Sequence, residues 1–572
     1  MKTFQELKKL AKNIPDKLPA IRLAVLGDSA TQLLCTALKG MAAERGYRLD
    51  IWEADFNQIE LQILNPESEY SRFDPDFTIV FHATAKLLQQ YDSLMPGEKA
   101  CLAQKRMELI RTIAESAKGK LIYFDYPEIN DNIFGSYGLR LENSFIFQLR
   151  KLNYMLCEFA SKHPGFYICG ISDIQNRLGR RNTFDANIYI STEMVLGINS
   201  LPYIASRAVD IIAAAKGKFR KCIILDLDNT LWGGIVGDDG WEGIQIGHGL
   251  GIGKAFSEFQ SWIKKLKERG IILAVCSKNN ESTAMEAFEK NPEMILRPDD
   301  FAMFVANWNN KADNIRHIQH TLNIGFDSMV FIDDNPFERD IVRQNIPDIC
   351  VPEMPEDPAE YVDFLSALNL FETTSYSSED AARNSQYRSE ALRSSAQQQF
   401  TNEDDFLKSL QMKATTEEFN PFNTPRVAQL TQRSNQFNLR TVRYNEDDIR
   451  AIAGNRDRFA TFAFSLNDKY GDNGLISVVI LEKKDSETLF IDTWLMSCRV
   501  LKRGMERYVT NEIVRYAAEN GFKRIIGEYI PSAKNKMVEE HYPSLGFSPY
   551  NMEPCKYVLY TGDFSPLENH IS

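Results

Sequence analysis

Cysteine, histidine and long apolar runs are all scarce in this sequence, and each scarcity excludes something. The nine cysteines are odd in number, scattered singly and never arranged as CxxC. Neither a disulfide framework nor a structural zinc site is expected from that pattern, and reduced thiols suit a cytoplasmic protein. No stretch approaches the ~20 apolar residues needed to cross a bilayer. The opening segment, MKTFQELKKLAKNIPDK, alternates charges with single apolar residues and has no small-residue cleavage site, so it does not read as a signal peptide. A basic excess is also missing. The net charge of −12 argues against nucleic acid and anionic membranes as partners, though it leaves room for a local basic pocket.

With 572 residues the chain exceeds the size of one core, and about three or four domains are expected. Hydrophobic (44%) and charged (25%) fractions are ordinary for a globular protein, so the order of patterns must carry the reading. Residues 1–215 alternate short apolar runs (RLAVLGDS, FTIVFHAT, KLIYFDYP, GFYICGIS) with helical stretches, which implies a mostly parallel α/β layer. Residues 216–372 repeat the alternation more sharply, with CIILDLDN, IILAVCSKN and SMVFIDDNP as buried strands that each end in polar residues. The text then turns polar, and 373–410 reads as a helical connector rather than a packed domain. Residues 411–572 shift to an α+β pattern of turn-linked strands and a helix, RYVTNEIVRYAAENG.

Chemistry concentrates in the central region. Asp226 and Asp228 end the first strand two residues apart, a spacing that puts both side chains on one face. Ser277 ends the second strand, Lys311 opens a helix, and Asp333 and Asp334 end the third strand. In an open α/β sheet, ligands bind outside the carboxyl ends of the strands. One carboxylate can attack phosphorus while a second carries protons. A hydroxyl and an ammonium can hold the phosphoryl oxygens, and Mg²⁺ suits a cluster of carboxylates that would otherwise repel. A lone DxD at a strand end is more often a turn; four such elements in this order are not.

These strings, DLDNTLWGG, VCSKNN, NWNNKADNI and FIDDNPFER, resemble the four motifs of the haloacid dehalogenase superfamily, and the Trp-Gly-Gly is similar to its FkbH-like branch. The resemblance implies Asp226 as nucleophile and Asp228 as general acid/base, with Asp228 also on the metal through its carbonyl. It implies Thr230, Ser277 and Lys311 on the phosphate, and Mg²⁺ held by Asp226 and Asp334, with Asp333 beside them. FkbH-like proteins take a glyceryl group from 1,3-bisphosphoglycerate, remove phosphate and load an acyl carrier protein. A phosphorylated small molecule and a carrier protein are therefore the implied partners. A plain phosphomonoester phosphatase and a non-catalytic carrier-protein scaffold are the alternatives. The Gly-rich stretch 233–253 is expected to fold over the site, with His248 in it either a solvated loop residue or a ligand contact.

The flanks carry resemblances too. RLAVLGDSATQLL has the Gly-Asp-Ser of SGNH-type hydrolases, with Ser29 at the nucleophile position. Residues 170–215 contain no histidine, and His82 and His163 fall at the wrong places, so an inactive SGNH-like domain is expected, with Ser29 as a helix cap. The C-terminal region resembles a GNAT acyltransferase fold. Arg499, Arg503 and Gly504 in LMSCRVLKRGMERY fit its pyrophosphate loop, although Glu506 replaces a small residue there, and Asn535 and Tyr542 match its closing segment. Cys498, before two arginines and a helix, is a candidate acyl-accepting thiolate.

Overall fold

A computed structural model describes the chain except residues 377–379, 381–382, 398–399, 498–499, 533, 551–552 and 554, and the side chain of residue 395. It divides into two compact units, 1–216 and 217–572. The first holds a parallel sheet of β1 (Ala20–Gly27), β2 (Arg48–Glu53), β3 (Phe77–Phe81), β4 (Lys120–Phe124) and β5 (Phe166–Cys169), in the order β2-β1-β3-β4-β5. Strands β1, β3 and β4 are apolar runs because helices cover both faces, which is how a parallel sheet is buried.

The second unit contains two sheets. One is parallel: β6 (Cys222–Leu225), β7 (Ile272–Ser277), β8 (Met303–Ala306) and β9 (Met329–Ile332), in the order β8-β7-β6-β9. The other runs β10 (Lys413–Glu417), β11 (Phe459–Asp468), β12 (Gly471–Lys483), β13 (Thr488–Met496), β14 (Arg524–Glu528), β15 (Ser548–Pro549) and β16 (Lys556–Tyr560), in the order β10-β11-β12-β13-β14-β16-β15. Its one parallel contact, β13 with β14, lasts only from Thr488↔Arg524 to Phe490↔Ile526. Beyond it the strands part, and residues 437–439 fill the gap: Met496 N–H donates to Phe437 O (3.0 Å), Leu439 N–H to Trp494 O (3.2 Å), and Ile530 N–H to Leu439 O (2.8 Å).

Among its described residues the polar stretch 373–410 carries the helix Arg383–Gln397, and that helix is packed. In its helix Arg383–Gln397, Asn384 accepts from Leu273 N–H (3.1 Å) and donates to Asp300 O (2.8 Å), joining the helix to the parallel sheet. Nine residues on, the buried Arg393 donates to Asp468 at 2.9 Å, joining it to the second sheet. The text reads as a connector because the burial is polar: hydrogen-bonded Asn and Arg replace the apolar stripe that sequence periodicity detects. Arg393→Met should therefore leave the buried Asp468 side chain and the partly exposed Glu390 with Arg503 as their remaining shared cation among the described residues. Removing one partner of such a group costs about 3–5 kcal/mol. Urea unfolding of the full chain checks this, and an unchanged midpoint would remove the pair from any role in holding the helix.

Candidate active site

The four strand ends of the β8-β7-β6-β9 sheet build the site, because each apolar run stops where the sheet stops. Asp226 follows β6 and Asp333 follows β9, and these strands are neighbours in register, Leu225 against Ile332. Asp226 N–H still donates to Ile332 O (3.0 Å), so its side chain leaves the sheet edge in a fixed direction. Lys311 opens the helix Lys311–Leu322, whose cap Asn310 accepts from Ala312 N–H at 2.8 Å. The helix Pro336–Asn345 starts after Asn335, whose side chain caps it, and Pro336 takes the first helical position. Its Arg339 donates to the carbonyls of Asp333 (2.8 Å) and Asp334 (2.6 Å) and so shapes the turn between them.

In the finished site the Lys311 ammonium lies 2.9 Å from Asp226 Oδ2 and 2.6 Å from Asp333 Oδ2. Asp334 adds a third carboxylate, and one oxygen of each aspartate lies within 4.8 Å of the others. Burial alone would lower the Lys311 pKa, but Asp226 and Asp333 outweigh it and hold the ammonium charged. Burial, reinforced by Asp226, raises the carboxyls of both Asp333 and Asp334. One ammonium thus faces three carboxylates, and Asp226 Oδ1 is buried with no hydrogen-bond partner. An all-oxygen group with surplus negative charge fits a hard divalent cation.

Asp228 stands apart from that group. Its Oδ1 accepts from Trp232 Nε1 (2.9 Å) and Val236 N–H (3.0 Å), and its Oδ2 from Asn279 Nδ2 (2.9 Å). Asn279 Nδ2 also reaches Ser277 Oγ at 3.2 Å, linking the first and second strand ends. The Gly-rich stretch does reach the site, through Val236 at the start of the helix Val236–Gly243, while His248 is exposed. Thr230 is buried, and its hydroxyl is engaged by Asp334, donating to Oδ1 (3.3 Å) and accepting from the backbone N–H (3.2 Å). That engagement makes it a support for Asp334, beside the position where the resemblance implies a phosphate. Sequence reasoning missed Trp232, Asn279 and Arg339, although each lies within a quoted motif. Asn279 sits two residues past Ser277, the spacing that returns a side chain to the same face of an extended segment.

The acyl-binding residues fare differently. Cys498 and Arg499 lie outside the described residues. Arg503 is buried in ion pairs with Glu390 and, at 3.2 Å, with Asp468, so its guanidinium is held within the fold. Gly504 has φ 79° at the start of the helix Met505–Glu519, a left-handed turn that favours glycine. Asn535 is fully buried and donates to the carbonyls of Asn438 and Ile530, both at 2.9 Å, pinning the segment that fills the gap between β13 and β14. Tyr542 is fully buried, with its ring packed so tightly against Gly527 that a Cβ there would meet it at 2.3 Å. In the first unit, Ser29 Oγ is buried without a partner, and the Nδ1 of His82 lies 2.8 Å from the Tyr123 hydroxyl. His163 stacks on Phe159, with ring centroids 3.7 Å apart.

Comparison with known proteins places this arrangement. Residues 22–213 match the family model described as FkbH, N-terminal domain. A search of curated proteins gives no match. Among solved structures, the chain is similar to the N-terminal part of a Bacteroides fragilis protein containing a phosphatase domain, complexed with Mg. The two are 56% identical over 66% of this chain and 100% of that one, with a TM-score of 0.65. Two acetyltransferase structures match about a quarter of the chain. They are the GNAT domain of an S. lividans protein (14% identity, 26% of this chain, 90% of that one, TM-score 0.21) and a Vibrio cholerae spermidine N-acetyltransferase (11%, 26%, 96%, 0.20). At those TM-scores neither carries an argument. Covering all of the relative and 66% of this chain at 56% identity, the first structural likeness agrees with the family model and with the motifs around Asp226 and Asp334: this chain belongs to the FkbH-like family.

Proposed function

We propose that residues 216–372 are a haloacid-dehalogenase-type phosphatase domain that hydrolyses a small-molecule phosphate with Mg²⁺. The observation that carries this is the surplus charge at the strand ends: three carboxylates around one buried ammonium, with an unpartnered Asp226 oxygen. The Mg²⁺ of the Bacteroides fragilis relative supports the choice of cation. Asp226, Asp333 and Asp334 would hold it, with the Asp228 carbonyl. When bound, it supplies positive charge against the phosphoryl oxygens.

In the chemistry we infer, an Asp226 carboxylate oxygen bonds to phosphorus while the bond to the leaving oxygen breaks, and that oxygen takes a proton from Asp228. Water, giving its proton back to Asp228, then attacks the aspartyl-phosphate, releasing inorganic phosphate and restoring the Asp226 carboxylate. Lys311 and Ser277 hold phosphoryl oxygens through both steps. Trp232, Val236 N–H and Asn279 keep the Asp228 carboxylate off the three-aspartate group, which reserves it for proton transfer.

The finer reading follows from family membership. The donor is a phosphorylated three-carbon acyl group resembling 1,3-bisphosphoglycerate, and glyceryl passes to an acyl carrier protein. Asp226 serves attack at phosphorus, and the softer Cys498 thiolate serves attack at carbon. One observation favours the plainer reading of a phosphatase alone: Arg503, Asn535 and Tyr542 are all engaged within the fold. In either case residues 1–215 act as an inactive platform, and 411–572 carry any acyl chemistry.

Three outcomes test these readings. Asp226→Asn keeps the shape but cannot form the phospho-enzyme, so Mg²⁺-dependent phosphate release should fall by several orders of magnitude. Undiminished turnover would remove Asp226 from its role. Asn279→Leu should lower kcat roughly 10–100-fold with little change in KM, because it frees Asp228 without touching the nucleophile. A change in KM alone would show that Asn279 serves binding. Cys498→Ala should abolish the acyl adduct on a carrier protein, read by intact-mass spectrometry, and leave phosphate release intact. Glyceryl-carrier formation at the parent rate would mean that transfer is direct or uses another residue.

A further inference from the structure

The first unit contains a cavity of about 360 Å³ that the reading of the central domain does not use. That volume falls within the roughly 300–1,000 Å³ range of ligand pockets. It opens between the carboxyl ends of β1 and β3, where the strand order β2-β1-β3-β4-β5 reverses direction. Chains leaving β1 and β3 at such a point turn to opposite faces of the sheet, so a crevice between them follows from the topology alone. Asp28 follows β1 and His82 follows β3, and both are buried and line the cavity.

The lining has a chemical bias. Arg106, Lys86 and Lys105 bring three cations, while Asp28 and Glu60 bring two carboxyls. The Arg106 guanidinium has a neutral hydrogen-bond partner, Gln90 Oε1 at 2.6 Å. Lys86 is paired at 2.8 Å with Glu193, and Lys105 at 3.0 Å with Glu98. Both glutamates are solvent-exposed, and pairs of that kind are weak enough to yield to a ligand. The Asp28 carboxylate accepts from a backbone donor, Ala83 N–H at 2.8 Å. Burial raises that carboxyl to about 7, so near neutrality much of it is protonated and offers a hydroxyl instead of a repelling charge. Phe56 and Leu109 supply apolar wall, and the Lys86 ammonium lies 5.4 Å from the Phe56 ring.

We propose that this cavity is a second ligand site, which takes a small organic anion: a carboxylate or phosphate monoester on a short, partly apolar body. Arg106 holds the anionic group with Lys86, and Asp28 donates to it or to a hydroxyl on the same molecule. The site binds and does not hydrolyse. Ser29 Oγ does not line it, and His82, kept neutral by burial and by Arg106, already has the Tyr123 hydroxyl on Nδ1. A cation is disfavoured, since positive side chains outnumber the carboxyls around the space.

Hydrogen exchange of the full chain, read on peptides covering residues 82–90 and 102–109, tests this apart from any binding at the central domain. Glycolate serves as the carboxylate probe, methyl phosphate as the phosphate probe and glycerol as the neutral control. At least one anion should slow exchange in those peptides, and which one does so identifies the class; glycerol should not. Arg106→Met should raise the anion concentration needed by about tenfold, the loss of one charge-assisted hydrogen bond. Ser29→Ala should leave it unchanged. If Arg106→Met unfolds, Lys86→Gln provides the same comparison at a partly exposed position. Protection by neither anion, equal protection by glycerol, or protection unaltered in both charge variants would overturn the proposal.

Discussion

Lys311 is 3% exposed, and its ammonium sits between the carboxylates of Asp226 and Asp333. A buried charge without partners is too costly to persist, so the lysine demands both aspartates, and each aspartate demands the lysine. That mutual requirement constrains much else in the second unit. It needs β6 beside β9 so that the aspartates are adjacent, and a helix after β8 that begins at residue 311. It also needs a turn after Asp334 tight enough for Arg339 to cap its carbonyls. The ammonium does not balance the carboxylates around it. Their surplus charge fits a cation better than it fits a closed ion pair.

The same physics recurs where the second unit is joined together. Arg393 and Arg503 converge on Asp468 and Glu390, and Asn384 bonds the backbone of the parallel sheet from the same helix. Buried polar joints of this kind are exacting, because each partner left alone carries the full cost of desolvation. They make the helix Arg383–Gln397 a packed element of the unit despite its polar face. Asn535 plays a comparable part at the divergence of β13 and β14, where it pins the segment that completes the sheet.

Both parallel sheets reverse their strand order once, between β1 and β3 in the first unit and between β6 and β9 in the second. At each reversal charged side chains gather beyond the strand ends, with opposite balance. Carboxylates dominate beyond β6 and β9, cations beyond β1 and β3. One architecture, used twice in a chain, thus carries a negative balance of charge at one reversal and a positive balance at the other. The difference lies in a handful of side chains on the loops, not in the fold.

The central site was legible because its residues are local to strand ends: an apolar run that stops in DLD, CS or DD announces both the strand and the direction of its side chains. The alternation of strands and helices determined the layered α/β architecture for the same reason, since burial on two faces writes itself as continuous apolar text. Three things had no such signature. Polar helices that bury asparagine and arginine look like solvated connectors until their partners, dozens of residues away, are known. Arg503 and Asn535, expected at a ligand, are held within the fold by an ion pair and by open backbone carbonyls. The reversal of strand order that opens the cavity at Asp28 and His82 is a property of the sheet as a whole. Sequence by itself therefore determined which chemistry the strand ends carry. Tertiary structure alone decided which polar residues serve that chemistry and which hold the fold, because a hydrogen bond or ion pair depends on distance in space and the sequence records only order along the chain.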